Sequence, residues 1–477
     1  MRVSQYFQLN RTQPTLDFVD IDIRNDLRVF VDPRALKLIP SSWGSECISL
    51  VQDYFRTVIR HIRENRDSEA QELLASLHEP NEVHLGLSVD YSQGRALGNG
   101  SAVNVWDSLR QSEAVRSGLL EDLEDTILMV EGVSSDIVSD MLINIIREPL
   151  INYTFSMAEQ YGIPLTDGIA SGPLWDPIHH CWYQEFVRLP MTSHGKLILV
   201  PKSIVRKRML YNLQEYYNSY ILSELQQQEL AANTQLVQLL RNGNRRVTKK
   251  DLKEKYGQSK SLVIQETLKN PALLRQYRED KRNVYPPPID HQSLAILEDT
   301  DPPDWDNLLT EAISLSPGRD QACTYEDRIE QLLTALFYPH LDHPQVQHQI
   351  HNGRKRIDIT YTNLAVEGFF KWLGNNYPAM HVFVECKNYC TDISNPELDQ
   401  ISGRFSPSRG QFGLLVCRSF TDKNLFIQRC IDTAHDHRGF VMPFDDTDLQ
   451  ALIVIRKRRN EDAEFRFFKE KFDRLIM

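Results

Sequence analysis

Apolar and polar residues alternate one by one along Arg356-Ile357-Asp358-Ile359-Thr360, and His381-Val382-Phe383-Val384-Glu385-Cys386-Lys387 is a short β-branched and aromatic run. Each pattern predicts a strand. In such a strand Glu385 and Lys387 project from one face and Cys386 from the other. The surrounding pattern completes a layered unit. TYEDRIEQLLTALFYPH sets Ile329, Leu332, Leu333 and Leu336 at helical spacing behind a Thr324 cap. Strands are expected at about 345–350, 355–361 and 381–387, and Asn395-Pro396 opens a helix as N-cap and first-turn proline. GQFGLLVCRS (410–419) and FVMPFDD (440–446) read as buried strands. The order is helix, three strands, helix, strand, helix, strand, helix.

Residues 17–36, DFVDIDIRNDLRVFVDPRAL, alternate on either side of Asn25-Asp26 and predict two short strands around a turn, ended by Pro33. Spacings of three and four predict helices over 46–65, 68–77 and much of 106–162, and a β-rich patch follows over 181–201. Residues 203–282 read as helices, broken at Gly257 and restarted at Pro271. Without a sustained heptad they are packed helices rather than a coiled coil, and one turn with a basic bias is weak support for a helix-turn-helix. GRALGNG (94–100) lacks a strand-then-helix context and reads as a turn, not a nucleotide loop. Residues 283–303 hold Pro286, Pro287 and Pro288 in a row, with Pro302 and Pro303 beyond, and read as a linker. The expected segments are therefore 1–202, an α+β region for sensing or assembly; 203–282, basic and helical; the linker; and 304–477, a separate domain.

With 477 residues, two or three cores are expected. No run approaches the roughly 20 apolar residues that span a bilayer, and MRVSQYFQLNRTQPTLDF lacks the basic-then-apolar order of a signal peptide. The expected location is cytoplasmic, without membrane partners. Seven scattered cysteines argue against a disulfide framework, and the spacing of Cys386 and Cys390 is a poor zinc motif because Cys386 faces away from its charged neighbours. The net charge of −11 conceals one basic segment: residues 202–282 carry 17 Lys and Arg against 8 Asp and Glu. Such a segment, including Lys249 and Lys250, can track a phosphate backbone or form a solvated helical face.

An acidic residue, any residue and lysine occurs at Asp251, Glu279 and Glu385, so the tripeptide alone carries little. Only Glu385-Cys386-Lys387 lies in an apolar strand, follows a strand bearing Asp358 and precedes a helix bearing Gln400. As ordinary strand-end charges these residues would form a surface pair worth at most about 1 kcal/mol. Two carboxylates converging among apolar neighbours instead call for a cation between them.

This order, with Glu326 in the first helix, Asp358 in RKRID, Glu385 and Lys387 in VFVECKNY and Gln400 in LDQISGR, resembles the PD-(D/E)XK superfamily, in its Mrr-like branch. The leading proline of that name is replaced by Ile357. The resemblance covers roughly residues 320–450. It implies a multidomain α/β chain whose C-terminal domain is restriction endonuclease-like, with a central mixed sheet. It also implies Mg2+ or Mn2+ held by Asp358, Glu385, the Cys386 carbonyl and Glu326, with Glu330 as the alternate to Glu326. Lys387 would stabilise charge on the phosphate, and Gln400 would orient water or substrate. Arg404, and the cluster Arg456, Lys457, Arg458 and Arg459, would meet the nucleic-acid backbone.

The expected activity is metal-dependent DNA endonuclease, in the manner of restriction or antiphage defence effectors. Double-stranded DNA is the expected substrate, and a homo-oligomer, with room for a further defence-system subunit, the expected assembly. The alternatives are a non-catalytic nucleic-acid-binding protein built on the same fold, or an RNase. Two further groups carry metal-ligating residue types. Asp17, Asp20 and Asp22 read as a solvent-facing edge, with only Asp20 and Asp22 on one side. His179 and His180, beside Cys181, read as structural histidines.

Overall fold

A computed structural model of the chain describes residues 1–86, 107–285, 287–350, 354–389 and 393–477. The turn GRALGNG and Cys390 lie outside the described residues. The chain divides into two compact units, one of Met1, 21–200 and 204–286 and one of 2–20, 201–203 and 287–477. The second unit thus includes an N-terminal segment that sequence order assigns to the first domain, and the basic stretch after residue 203 belongs to the first unit. The fold is mixed α/β, and no described helix is long and apolar enough to cross a membrane.

In the first unit, Ser42–Arg63 is a long helix whose Ser41 side chain accepts from the Gly44 amide at 3.2 Å. Its buried Leu50, Val51, Tyr54, Phe55, Val58, Ile59 and Ile62 repeat at three and four, as the sequence predicts. The predicted hairpin over 17–36 is absent: Phe30–Val31 is a two-residue strand paired with Val205–Arg206. The alternation there comes from residues buried on several sides, not from a two-faced strand. The β-rich patch begins earlier than expected, with Thr166–Ala170 paired to Phe186–Leu189 and Leu174–Asp176 to Cys181–Tyr183. Trp175 of this patch stacks edge-on against Tyr54 at 5.0 Å. Helices Lys249–Tyr256, Lys260–Lys269 and Ala272–Arg282 follow, the first ending at Gly257 with φ of 78° and the last starting after Pro271. Gln238–Leu239 and Arg245–Arg246 interrupt the helices with a short β pair.

The second unit has its own core. In chain order its elements are α1 (His291–Glu298), α2 (Trp305–Ile313), α3 (Ala322–Phe337), β1 (Leu341–Ile350), β2 (Lys355–Asn363), α4 (Gly368–Asn376), β3 (His381–Lys387), α5 (Asn395–Ser402), β4 (Phe412–Cys417), α6 (Lys423–His435), β5 (Phe440–Phe444), α7 (Asp446–Lys457) and α8 (Glu461–Ile476). The strands form one sheet in sequence order, with β1, β2 and β3 antiparallel and β3, β4 and β5 parallel. The parallel pairs need helical crossovers, which α5 and α6 supply. Helix α1 occupies part of the stretch that reads as a linker, because Asp290 caps it by accepting from the Ser293 amide at 2.9 Å and Leu294 and Ala295 are buried. Helices α2 and α4 are also additions. Thr324 is not the cap of α3, which begins at Ala322 after Gln321.

One face of the sheet buries Leu332, Leu333 and Leu336 of α3 with Ile359, Val382, Val384, Leu414 and Val416. A separate small cluster holds Ile350, Ile357 and Phe383, against which Phe405 packs. Helix α5 approaches β4 closely because position 413 is glycine: a Cβ there would lie 2.7 Å from Ile401 Cδ1 and 3.0 Å from the Phe383 carbonyl oxygen. Leu333→Ala, at a fully buried position, is expected to cost about 2–5 kcal/mol in chemical denaturation. A loss below about 1 kcal/mol would show that α3 is not packed as described.

Candidate functional site

Strands β2 and β3 are paired from Thr362 opposite His381 to Ile359 opposite Val384, and the pairing stops there. Asp358 and Glu385 are the next residue on each strand. Strand β3 stays bonded to β4 as far as Lys387 opposite Cys417, so the strands part at the two carboxylates while one strand remains anchored. Across the fork the Cys386 amide donates to Asp358 Oδ2 at 2.9 Å. A side-chain carboxylate thereby satisfies a backbone donor.

Lys387 and Glu385 share a face, and Lys387 Nζ donates to Glu385 Oε1 at 2.7 Å and to Gln400 Oε1 at 3.3 Å. Gln400 reaches the same Glu385 oxygen through Nε2. It does so from α5, whose first turn is fixed by Pro396 and by Glu397 accepting from the Ser394 amide at 3.0 Å. Glu385 is completely buried, and its second oxygen, Oε2, receives no hydrogen bond. Arg404 Nη1 lies 4.0 Å from that oxygen. Glu326 enters from α3, its Oε1 accepting from Gln347 Nε2 at 2.5 Å.

Burial, then the neighbouring Asp358, pushes the Glu326 carboxyl up to about 7. Burial also raises Glu385, with Asp358 adding repulsion and Lys387 opposing. Asp358 is raised by burial against the Cys386 amide and the cations Lys387, Arg404 and Arg356. Burial alone would push Lys387 down, but Glu385 holds its ammonium above the ordinary value. These are carboxylates withdrawn from water faster than positive charge is supplied. Hard oxygen donors, with a buried Glu385 oxygen that accepts no hydrogen bond, fit a divalent cation such as Mg2+ or Mn2+. As they stand, Glu326, Asp358 and Glu385 do not bring one oxygen each within 4.8 Å of one another.

Glu326, Asp358, Glu385, Lys387 and Gln400 therefore come together from α3, β2, β3 and α5. Other expected residues are placed differently. Glu330 is no alternate to Glu326: it is fully buried, bonded to Thr334 and ion-paired with Arg11 at 2.6 Å. Cys386 contributes its amide, and its side chain packs against the main core. Arg404 gives two donors to backbone, to the carbonyls of Arg356 and Gln400. Arg456 is turned inward, bonded to the carbonyls of Leu336 and Tyr338 and paired with Glu464 at 3.2 Å. Leu336 is ten residues from Glu326, about 15 Å along α3. Lys457 pairs with Asp306, whereas Arg458 and Arg459 are exposed. In the first unit Lys249 donates to the Asn218 carbonyl at 2.7 Å and Lys250 is exposed.

Two site residues were missed. Arg356, which acts electrostatically on Glu326 and Asp358, stands two residues before Asp358 in the same alternating strand, a usable signal. Gln347 had none, because its contact with Glu326 depends on the bent path of β1. The reading of residues 17–22 also changes: Asp17 and Asp20 are buried rather than on a solvent-facing edge. Asp20 accepts from the Ser4 amide at 2.8 Å and Ser4 Oγ at 2.6 Å. His179 and His180 bond Asp176 and Thr57 at 2.6 and 3.2 Å.

The raised carboxyl of Glu326 has a definite sign. A folded value near 7 above an ordinary 4.5 means that the folded chain keeps a proton the unfolded chain has released. Stability from this group is present below about pH 4.5 and lost as pH rises to 7. Glu326→Gln should flatten that part of a Tm–pH profile measured in EDTA. An unchanged profile would contradict the burial of this carboxyl beside Asp358.

Residues 8–212 match a family described as a domain of unknown function, DUF8370. No curated protein matches the chain. No solved structure matches it either.

Proposed function

We propose that residues 304–477 form a restriction endonuclease-like domain that hydrolyses phosphodiester bonds in DNA with Mg2+ or Mn2+. The observation that carries this reading is the fork between β2 and β3, where Asp358, Glu385 and Lys387 meet Glu326 and Gln400 in a buried setting. Asp358 and Glu385 would hold the ion, with Glu326 at the edge of its shell. When bound, the ion would activate a water and offset charge on the scissile phosphate.

The chain's own residues have separate tasks. Lys387 keeps its charge because Glu385 lies 2.7 Å away, and a desolvated ammonium is well suited to stabilising charge that develops on a phosphate. Gln400 binds both Lys387 and Glu385, so it fixes their relative position. Arg404 ties β2 to the end of α5 through two carbonyls. It would act mainly by holding the fork, with a phosphate contact secondary.

Double-stranded DNA is the proposed substrate, and a homo-oligomer would supply two sites for two strands. A nuclease domain joined to a large accessory portion supports a role as a restriction or antiphage defence effector, a step taken from architecture alone.

The full chain should nick or linearise plasmid DNA with Mg2+ or Mn2+ and not in EDTA. Glu385→Gln and Lys387→Met should keep the wild-type circular dichroism spectrum and lose cleavage by about 100-fold or more. Equal cleavage by wild type and both variants would refute the assignment. So would a folded wild type that binds DNA with a steep salt dependence but cuts neither DNA nor RNA in any divalent cation.

A further inference from the structure

A second group of charged side chains in the same unit lies apart from the fork. Asp17 belongs to the segment 2–20, and Asp342 and His343 are consecutive residues of β1. Consecutive strand residues ordinarily face opposite ways. Here the pairing of β1 with β2 shifts register between Asp342 and Gln345, and His343 has φ of 53°. A bulge of this kind re-aims side chains. As a result one ligand atom from each of Asp17, Asp342 and His343 falls within 4.8 Å of the others.

The group is built into the protein. The His343 amide donates to Asp17 Oδ1 at 3.0 Å, and its Nδ1 lies 3.3 Å from Asp17 Oδ2. Ser203 Oγ is 3.1 Å from His343 Nε2, and the Lys202 amide donates to the Asp17 carbonyl at 3.0 Å. Asp17 and Asp342 are each 1% exposed. Independently of this clustering, both oxygens of Asp342 are buried without a hydrogen-bond donor. Burial, then the neighbouring Asp17, pushes the Asp342 carboxyl up to about 7, with His343 and Lys202 opposing, so the positive charge around it does not make up for its burial. Lys202 is also 1% exposed; its ammonium makes no hydrogen bond and sits 4.3 Å over the Tyr338 ring.

We propose that Asp17, Asp342 and His343 bind a divalent transition-metal ion, Zn2+ or Mn2+, that ties residues 2–20 and 201–203 to the start of β1. Two carboxylates and a neutral imidazole balance a 2+ charge; without metal, burial would push His343 down but Asp17 and Asp342 hold it up to about 9, so the ion displaces a proton from the imidazole as it binds. Ligand atoms about 2.0–2.2 Å from such an ion lie within about 4.4 Å of one another, close to the separation they already have. The imidazole donor selects Zn2+ or Mn2+ over Mg2+, which takes oxygen ligands. The site is structural, shares no residue with the β2–β3 fork, and does not depend on the nuclease reading.

The test uses the full chain with any affinity tag removed, stripped with EDTA, loaded with Zn2+ or Mn2+ and passed through gel filtration in excess Mg2+. Metal analysis should find about one equivalent of Zn2+ or Mn2+ retained by the wild type and by Glu385→Ala, and much less by Asp342→Asn. In Glu385→Ala, where the fork is disabled, Zn2+ at about a hundredfold above its Kd should raise Tm by about 5–10 °C, which Mg2+ should not do. If Asp342→Asn does not fold, Co2+ titration decides: visible d–d bands at one equivalent in wild type and Glu385→Ala support the site. Featureless spectra, no retained metal, or retained metal lost with Glu385→Ala but kept with Asp342→Asn would overturn the proposal.

Discussion

Withdrawing carboxylates from water without matching them to enough positive charge is the constraint around which the C-terminal unit is organised. Asp358 and Glu385 stand where β2 and β3 stop pairing, and Glu326 comes over from α3. Each carboxyl is raised by burial. Lys387 compensates Glu385 on one oxygen only, and Gln400 shares that oxygen. Removing one member of such a network leaves the rest buried and unpaired, which costs more than the pair itself contributes. The sheet meets this constraint mechanically: β3 is clamped to β4 beyond the fork, and the close approach at Gly413 lets α5 bring Gln400 within reach. The architecture therefore holds a charge arrangement that its own side chains do not neutralise.

The strands of this unit were legible from local pattern, β2 from period-two alternation and β3, β4 and β5 from short apolar runs, and the pleat put Glu385 and Lys387 on one face. Helix α3 was legible from Ile329, Leu332, Leu333 and Leu336, and α5 from Pro396. Its capping was read one residue late, at Asn395 rather than Ser394. Other features were hidden for physical reasons. Arg456 looked like part of an exposed basic cluster, yet the carbonyls at the end of α3 capture it. Helix α1 was masked by the prolines around it. The Asp17 group depends on a β-bulge and on partners more than three hundred residues apart, neither of which leaves a local periodic signal.

The charge asymmetry of the chain has an internal explanation as well. Several cations of the basic stretch are spent on acidic residues within the first unit: Arg278 pairs with Asp125 at 2.6 Å, Lys281 with Glu215 at 2.8 Å and Lys255 with Glu229 at 2.5 Å. A positive segment read from composition is thus partly a set of ion pairs that hold helices to their neighbours. Among the described residues, Lys250 and Arg458 remain exposed.

Calorimetric titration of Mg2+ into the EDTA-stripped full chain tests the central claim directly, because it asks whether the buried carboxylates at the fork take up a cation before any substrate is considered. The account predicts saturable heat for the wild type that is lost in Asp358→Asn while the variant keeps its circular dichroism spectrum. Heat of equal size and midpoint in wild type and folded Asp358→Asn, or no heat in either, would contradict it.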